Sequence, residues 1–182
     1  RSKFLFSTPD RNIEYSKWRA WDSRGGDWRC YWTFIILKAQ GIQTGDRIAG
    51  YVANTPETVI AMLAATSLGA IWTSTSPDFG EDSVIERFGQ TEPVILFAVD
   101  GYFYNGKTID CMPRLQEIAS KINSIQQLVV VPVSRQQHPL EKIQSAVLYQ
   151  QFVISESTPQ LVFEQLPFDH PLFIMYSSGT TG

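Results

Sequence analysis

The sequence predicts an α/β fold built on a mainly parallel sheet flanked by helices. Three observations carry the prediction. Residues 47–75 run strand-like, then helix-periodic, then strand-like again, with short joints. The runs "VILFAV" (Val94 to Val99) and "QLVVVPV" (Gln127 to Val133) are continuously apolar, as strands covered on both faces require. Amphipathic helical patterns separate these runs.

The elements follow in order. Arg47 to Ala53 reads as a buried strand. Asn54 or Thr55 can cap the next helix, and Pro56 suits its first position, where a backbone N–H is not needed. Glu57 places negative charge at the positive end of the helix dipole. Val59, Ile60, Leu63, Ala64 and Leu68 recur at helical spacing, and Gly69 can adopt the left-handed conformation that ends a helix. Ala70 to Ser74 is the next strand, so the pair should be parallel.

Glu81 to Gln90 is helical, with Val84, Ile85 and Phe88 on one side and Pro93 closing it. Asp78 or Ser76 is its expected cap, and Trp72 is expected in the core. "GYFYNGK" is a glycine-bounded turn rich in aromatics. Arg114 to Asn123 is a helix with Leu115, Ile118, Ala119 and Ile122 inward. "SRQQHPLEK" (134–142) reads as a surface loop, "AVLYQQFVI" as either helix or strand, and "PFDHPLFIMY" brings in a last strand.

One stretch does not fit. Trp18 to Leu37 holds four tryptophans, a cysteine and a Gly pair, with no helical or strand period before Tyr31. It reads either as an irregular aromatic loop, or, before Phe34, as a corrupted translation. A long helix would be natural before "KAQGIQTGD".

Composition narrows the function. The chain has 182 residues, 43% hydrophobic and 18% charged, which is globular rather than disordered. A net charge of −3 argues against nucleic acid as a partner. Cys30 and Cys111 match no zinc spacing and read as free thiols, so a cytoplasmic location is expected. The longest apolar stretch, Val59 to Trp72, is shorter than the roughly 20 residues of a membrane span. The oligomeric state is not legible. His138 and His170 lie beside prolines in polar surroundings and are expected at the surface, and Asp100 at a strand end is expected to form a turn. No metal ligands are assigned.

The most suggestive chemistry is "YSSGTTG" at Tyr176 to Gly182. Glycines let a backbone approach a ligand closely, and successive N–H groups with hydroxyls can hold phosphate oxygens. It is not a Walker A motif, because no lysine follows the glycine. A plain Gly/Ser/Thr turn is the alternative.

"YSSGTTG" after an apolar strand resembles the phosphate-loop signature of the adenylate-forming superfamily, and "GDRIAGYVANTPETVIAMLAATSLGAIW" resembles the first βαβ unit of those enzymes. "IWTSTSPDFGEDSVIERFGQTEPVILFAVDGYFYNGK" is similar to the acetoacetate-activating branch of that superfamily. The likeness runs from about Lys38 to Gly182, more weakly over Gln136 to Pro159.

The resemblance implies part of a large N-terminal domain, 1–182, truncated at the phosphate loop, and so a fragment. It implies an ATP-dependent acid–thiol ligase that makes acetoacetyl-adenylate and passes the acyl group to coenzyme A, with Mg²⁺ alongside ATP. Ser177, Ser178, Gly179, Thr180, Thr181 and Gly182 would hold the β- and γ-phosphates. Asn105, Gly106 and Lys107 stand where relatives contact coenzyme A, although Tyr104 replaces an arginine of that turn. A surface turn with a solvated lysine is the other reading of that segment. No catalytic residue is assigned within the chain. The alternatives kept open are a ligase for another short-chain acid, a non-catalytic nucleotide-binding module, and a decayed gene product.

Overall fold

The computed structural model describes residues 28–134, 138, 140–153 and 163–177. The elements run α1 (Trp28–Ala39), β1 (Arg47–Tyr51), α2 (Pro56–Ser67), β2 (Ile71–Thr75), α3 (Glu81–Thr91), β3 (Ile95–Val99), β4 (Gly101–Tyr104), β5 (Lys107–Asp110), α4 (Met112–Lys121), β6 (Gln127–Val131), β7 (Ala146–Leu148), α5 (Tyr149–Phe152) and β8 (Phe173–Ile174), with a 3₁₀ turn at Leu140–Lys142.

Six strands form one sheet in the order β7-β6-β3-β1-β2-β8. Every neighbouring pair in it is parallel. Strands β4 and β5 stand apart as an antiparallel hairpin.

Strand periodicity divides the apolar residues between two cores. Ile48, Trp72, Ile95, Phe97 and Val129 point to the face covered by α1, α2 and α5, where Phe34, Leu37, Ala61, Ala64 and Phe152 meet them. Ala49, Tyr51, Leu96, Leu128 and Val130 point to the other face, against Val84, Phe88, Leu115 and Ile118 of α3 and α4. All of β3 is buried because it lies inside the sheet with helices on both sides.

Chain order makes a switch point at β1. The chain leaves β1 through α2 to reach β2 on one side, then returns through α3 on the opposite face to β3 on the other. In such sheets the crevice outside the carboxyl ends of the strands is where ligands bind.

Local signals set the helix ends. Thr55 caps α2 by accepting from the Thr58 N–H, with Pro56 at the first position. Gly69 follows its end at φ +75. The stripe that α2 buries differs from the expected one. Ile60, Ala61, Ala64 and Ala65 face inward, while Val59 and Leu63 are 36% and 47% exposed. Alanines let α1 and α2 pack closely; the large side chains are left on the rim.

Helix α3 has Gly80 at its N-cap with no side-chain hydrogen bond, so neither Ser76 nor Asp78 caps it. Glu81 and Asp82 in its first turn complement the dipole instead. Residues 146–152 resolve into both readings, a three-residue strand and then one helical turn. The irregular-loop expectation for 18–37 is corrected from Trp28 onward, where α1 is helical. Its weak amphipathicity hid it, since the consecutive apolar residues 34–37 occupy every side of the helix. Residues 18–27 lie outside the described residues, as do 135–137 and 139 of the expected surface loop.

A candidate nucleotide and thiol site at the carboxyl edge of the sheet

Each of the two segments singled out from sequence follows the carboxyl end of a strand of the parallel sheet. Ser177 lies three residues beyond the end of β8. The hairpin β4–β5 leaves directly after β3. Strands β3 and β8 are three places apart in the sheet, which is about 14 Å at the usual spacing.

Asn105 and Gly106 form the tip of the hairpin, with φ of +48 and +72. Two positive φ angles define the type I′ turn, and Asn-Gly is the pair that tolerates it best. The tip is therefore first a folding signal. Tyr104 and Lys107 face each other across it, Tyr104 71% exposed and Lys107 also open to solvent. Phe103, 42% exposed, adds a second open aromatic. A cation and two aromatic faces on a narrow ribbon can receive a phosphate and a planar ring.

The hairpin is rooted in Asp100, which is no simple turn residue. Its carboxylate is fully buried. Oδ1 accepts from the N–H groups of Val133 and Ser134 at 2.7 and 2.9 Å, and Oδ2 lies 3.0 Å from His138 Nε2. Its carbonyl accepts the Cys111 N–H at 2.9 Å, closing the hairpin base. The His138 side chain is only 4% exposed, which corrects its expected surface position. His170, likewise expected at the surface, is half-buried and donates through Nε2 to the Gly69 carbonyl at 2.9 Å.

The segment after β2, 76–80, crosses the carboxyl end of β1. The Tyr51 hydroxyl reaches the carbonyls of Pro77 and Phe79 at 2.8 and 2.7 Å. Arg114 approaches the same hydroxyl and the Pro77 carbonyl at 3.4 and 3.3 Å. Burial pushes the Tyr51 phenol above its ordinary value, so it stays a donor at neutral pH. Hydrogen bonding to Tyr51 raises Arg114 further, so it remains a cation. Burial also pushes the Cys111 thiol up to about 11, which keeps it inert as a nucleophile near neutrality.

On the other side of the segment, the Arg87 guanidinium lies 4.8 Å from the Phe79 ring centroid and 5.6 Å from that of Tyr176. It also bonds the Ser83 hydroxyl and carbonyl. The Tyr176 hydroxyl accepts from Thr73 at 3.1 Å and donates to the Arg87 carbonyl at 3.2 Å. The backbone is thus fixed immediately before Ser177. An open groove of about 490 Å³ runs past Tyr176 and Ser177 to the end of α3. Arg47 lines it, but its guanidinium is engaged by the carbonyls of Gly45, Thr91 and Glu92. Ser178, Gly179, Thr180, Thr181 and Gly182 lie outside the described residues.

Residues 36–182 match the AMP-binding enzyme family. The chain belongs to this family. It is 48% identical over 151 residues to the acetoacetyl-CoA synthetase of Macaca fascicularis, which covers 80% of this chain and 22% of that protein. It is 40% identical over 152 residues to a malonamoyl-CoA synthetase of Penicillium aethiopicum, covering 80% of this chain and 21% of that one. Among solved structures it resembles the acetoacetyl-CoA synthetase of Streptomyces lividans, with a TM-score of 0.77 and 38% identity over 85% of this chain and 23% of that chain. The chain thus spans between a fifth and a quarter of the length of these relatives.

The family match begins inside α1 and takes in the hairpin, the 76–80 segment and Ser177. Among the described residues, no group of three or more His, Cys, Asp or Glu side chains is placed to hold a metal ion. Among them too, no helix is long and apolar enough to cross a membrane. The Tyr51–Arg114 and Asp100–His138 contacts were missed from sequence. Each joins residues tens of positions apart, and only the pattern of polar residues near strand ends hinted at them.

Proposed function

We propose that this chain is part of the N-terminal domain of an ATP-dependent acid–thiol ligase that activates acetoacetate and transfers it to coenzyme A. The observation that carries the reading is the 48% identity to an acetoacetyl-CoA synthetase, sustained across 151 residues. The products would be acetoacetyl-CoA, AMP and pyrophosphate. A carboxylate must then attack a polyanion, and the difficulty to be overcome is charge repulsion.

In this reading Ser177, Ser178, Gly179, Thr180, Thr181 and Gly182 cradle the β- and γ-phosphates of ATP. Their hydroxyls and N–H groups supply donors where negative charge gathers. Mg²⁺, as the partner of the ATP phosphates, would neutralise part of the same charge. Tyr176, held by Thr73 and the Arg87 carbonyl, fixes the start of that loop. Asn105, Gly106 and Lys107 meet coenzyme A at the hairpin tip, with Lys107 as a point charge for a phosphate. The chain is expected to act in the cytoplasm and, taken alone, to form no acyl-adenylate.

The malonamoyl-CoA synthetase relative favours a second reading. Acetoacetate and malonamate are both short acids with a carbonyl one carbon away from the carboxylate, differing by a methyl against an amino group. A panel assay on the complete polypeptide separates them. Loss of the coenzyme A thiol is followed with acetoacetate, malonamate and acetate in turn. Acetoacetate is expected to give the highest kcat/KM. A higher value for malonamate would move the assignment to the second reading, and no turnover of any of the three would refute both.

A further inference from the structure

Three segments leave the carboxyl edge of the sheet beside one guanidinium. Tyr51, the last residue of β1, is fully buried. Its hydroxyl carries one proton but faces two carbonyl oxygens, Pro77 at 2.8 Å and Phe79 at 2.7 Å. One proton cannot satisfy both. Arg114, in the first turn of α4, supplies the second donor, with Nη1 3.3 Å from the Pro77 oxygen and 3.4 Å from the Tyr51 oxygen. The hairpin is joined to that same first turn through Asp110, the last residue of β5, whose Oδ1 accepts the Met112 N–H at 2.9 Å.

The hairpin needs such a tether. Its strands are four residues each and its outer half is exposed. An isolated two-stranded ribbon is marginal in water. Its root is fixed by Asp100, but Asp100 holds only the base.

We propose that Arg114 is a positioning residue for the coenzyme A half of the reaction, joining the first turn of α4, and through Asp110 the hairpin, to Tyr51 and the Pro77 carbonyl, so that the tip at Asn105–Lys107 is held at a fixed angle to segment 76–80. This rests on the reading of the hairpin as the coenzyme A contact. Both contacts come from Nη1, whose two N–H groups are fixed in the guanidinium plane, whereas a lysine ammonium is a point charge on a flexible stem. Segment 76–80 is held from its other side by Arg87 stacking on Phe79, so loss of Arg114 leaves the nucleotide side anchored.

The test uses the complete polypeptide with Arg114→Gln and Arg114→Lys. Two steps are read separately: acetoacetate-dependent exchange of labelled pyrophosphate into ATP, which needs no coenzyme A, and thioester formation at varied coenzyme A. Arg114→Gln is expected to raise KM for coenzyme A about tenfold and to leave exchange within about twofold. Arg114→Lys is expected to raise it about threefold. An unchanged KM for coenzyme A in both variants would overturn the proposal, as would exchange and thioester formation falling in parallel, which is the mark of general unfolding. If Arg114→Gln fails to fold, Asp110→Ala replaces it, removing the bond from β5 to the first turn of α4, with a smaller rise in the same KM expected and no rise overturning the tether. Absence of exchange in the unsubstituted enzyme would instead overturn the ligase reading, and this inference with it.

Discussion

Gly50 gives the Trp72 indole its place. A Cβ at Gly50 would lie 2.7 Å from the ring, and an aromatic wedged in a core cannot swing aside. Gly50→Ala should therefore cost about 1–3 kcal/mol, read as a lowered urea midpoint; an unchanged midpoint would contradict the packing. Cys111 and Tyr51 are both acids whose folded values are raised by burial. Such groups contribute stability in full below their unfolded values and lose it as pH rises through the folded ones. For Cys111 the window runs from 9.0 to about 11, and the loss is at most about 3 kcal/mol. Melting temperature should fall across that window, and Cys111→Ala should flatten the fall. At this scale the sequence was legible where a residue answers to near neighbours: the Thr55 cap, Pro56, the Gly69 terminator and core Trp72 all stand as read. It was opaque where a partner is distant, as with the buried Asp100 and His138, 38 positions apart.

Among the elements, strands β1, β2, β3 and β6 were read within two residues: β3 and β6 because a strand covered on both faces is an unbroken apolar run, β1 and β2 because a capped helix stands between them. The hairpin was read only as a turn, although Asn105-Gly106 between short β-prone runs is a hairpin signal. Its largely exposed strands show no apolar–polar alternation to mark them. Gly106→Val should strain the tip, where φ is +72, by about 1–2 kcal/mol. Proteolysis should then cut between Tyr104 and Lys107 faster than in the parent; equal rates would argue that the turn is not the hairpin's organiser. Helix α1 escaped because its consecutive apolar residues 34–37 leave no polar face, and β8, only two residues long, reads as longer because the apolar run 172–176 continues past its pairing.

The molecule as a whole carries an open apolar surface on the β8 side. Phe168 is fully exposed, Met175 is 87% exposed, and Leu172 and Phe173 are about half exposed beside the edge strand. Open edges and apolar patches promote association. Residues 1–182 expressed alone should self-associate in light scattering, and a monomer with a sharp melt would contradict this. The decisive measurement is pyrophosphate exchange into ATP by the complete polypeptide without coenzyme A. The account predicts exchange that depends on acetoacetate and is strongly reduced by Thr180→Ala with Thr181→Ala. Exchange that is absent with acetoacetate, or indifferent to the loop substitutions, would contradict it.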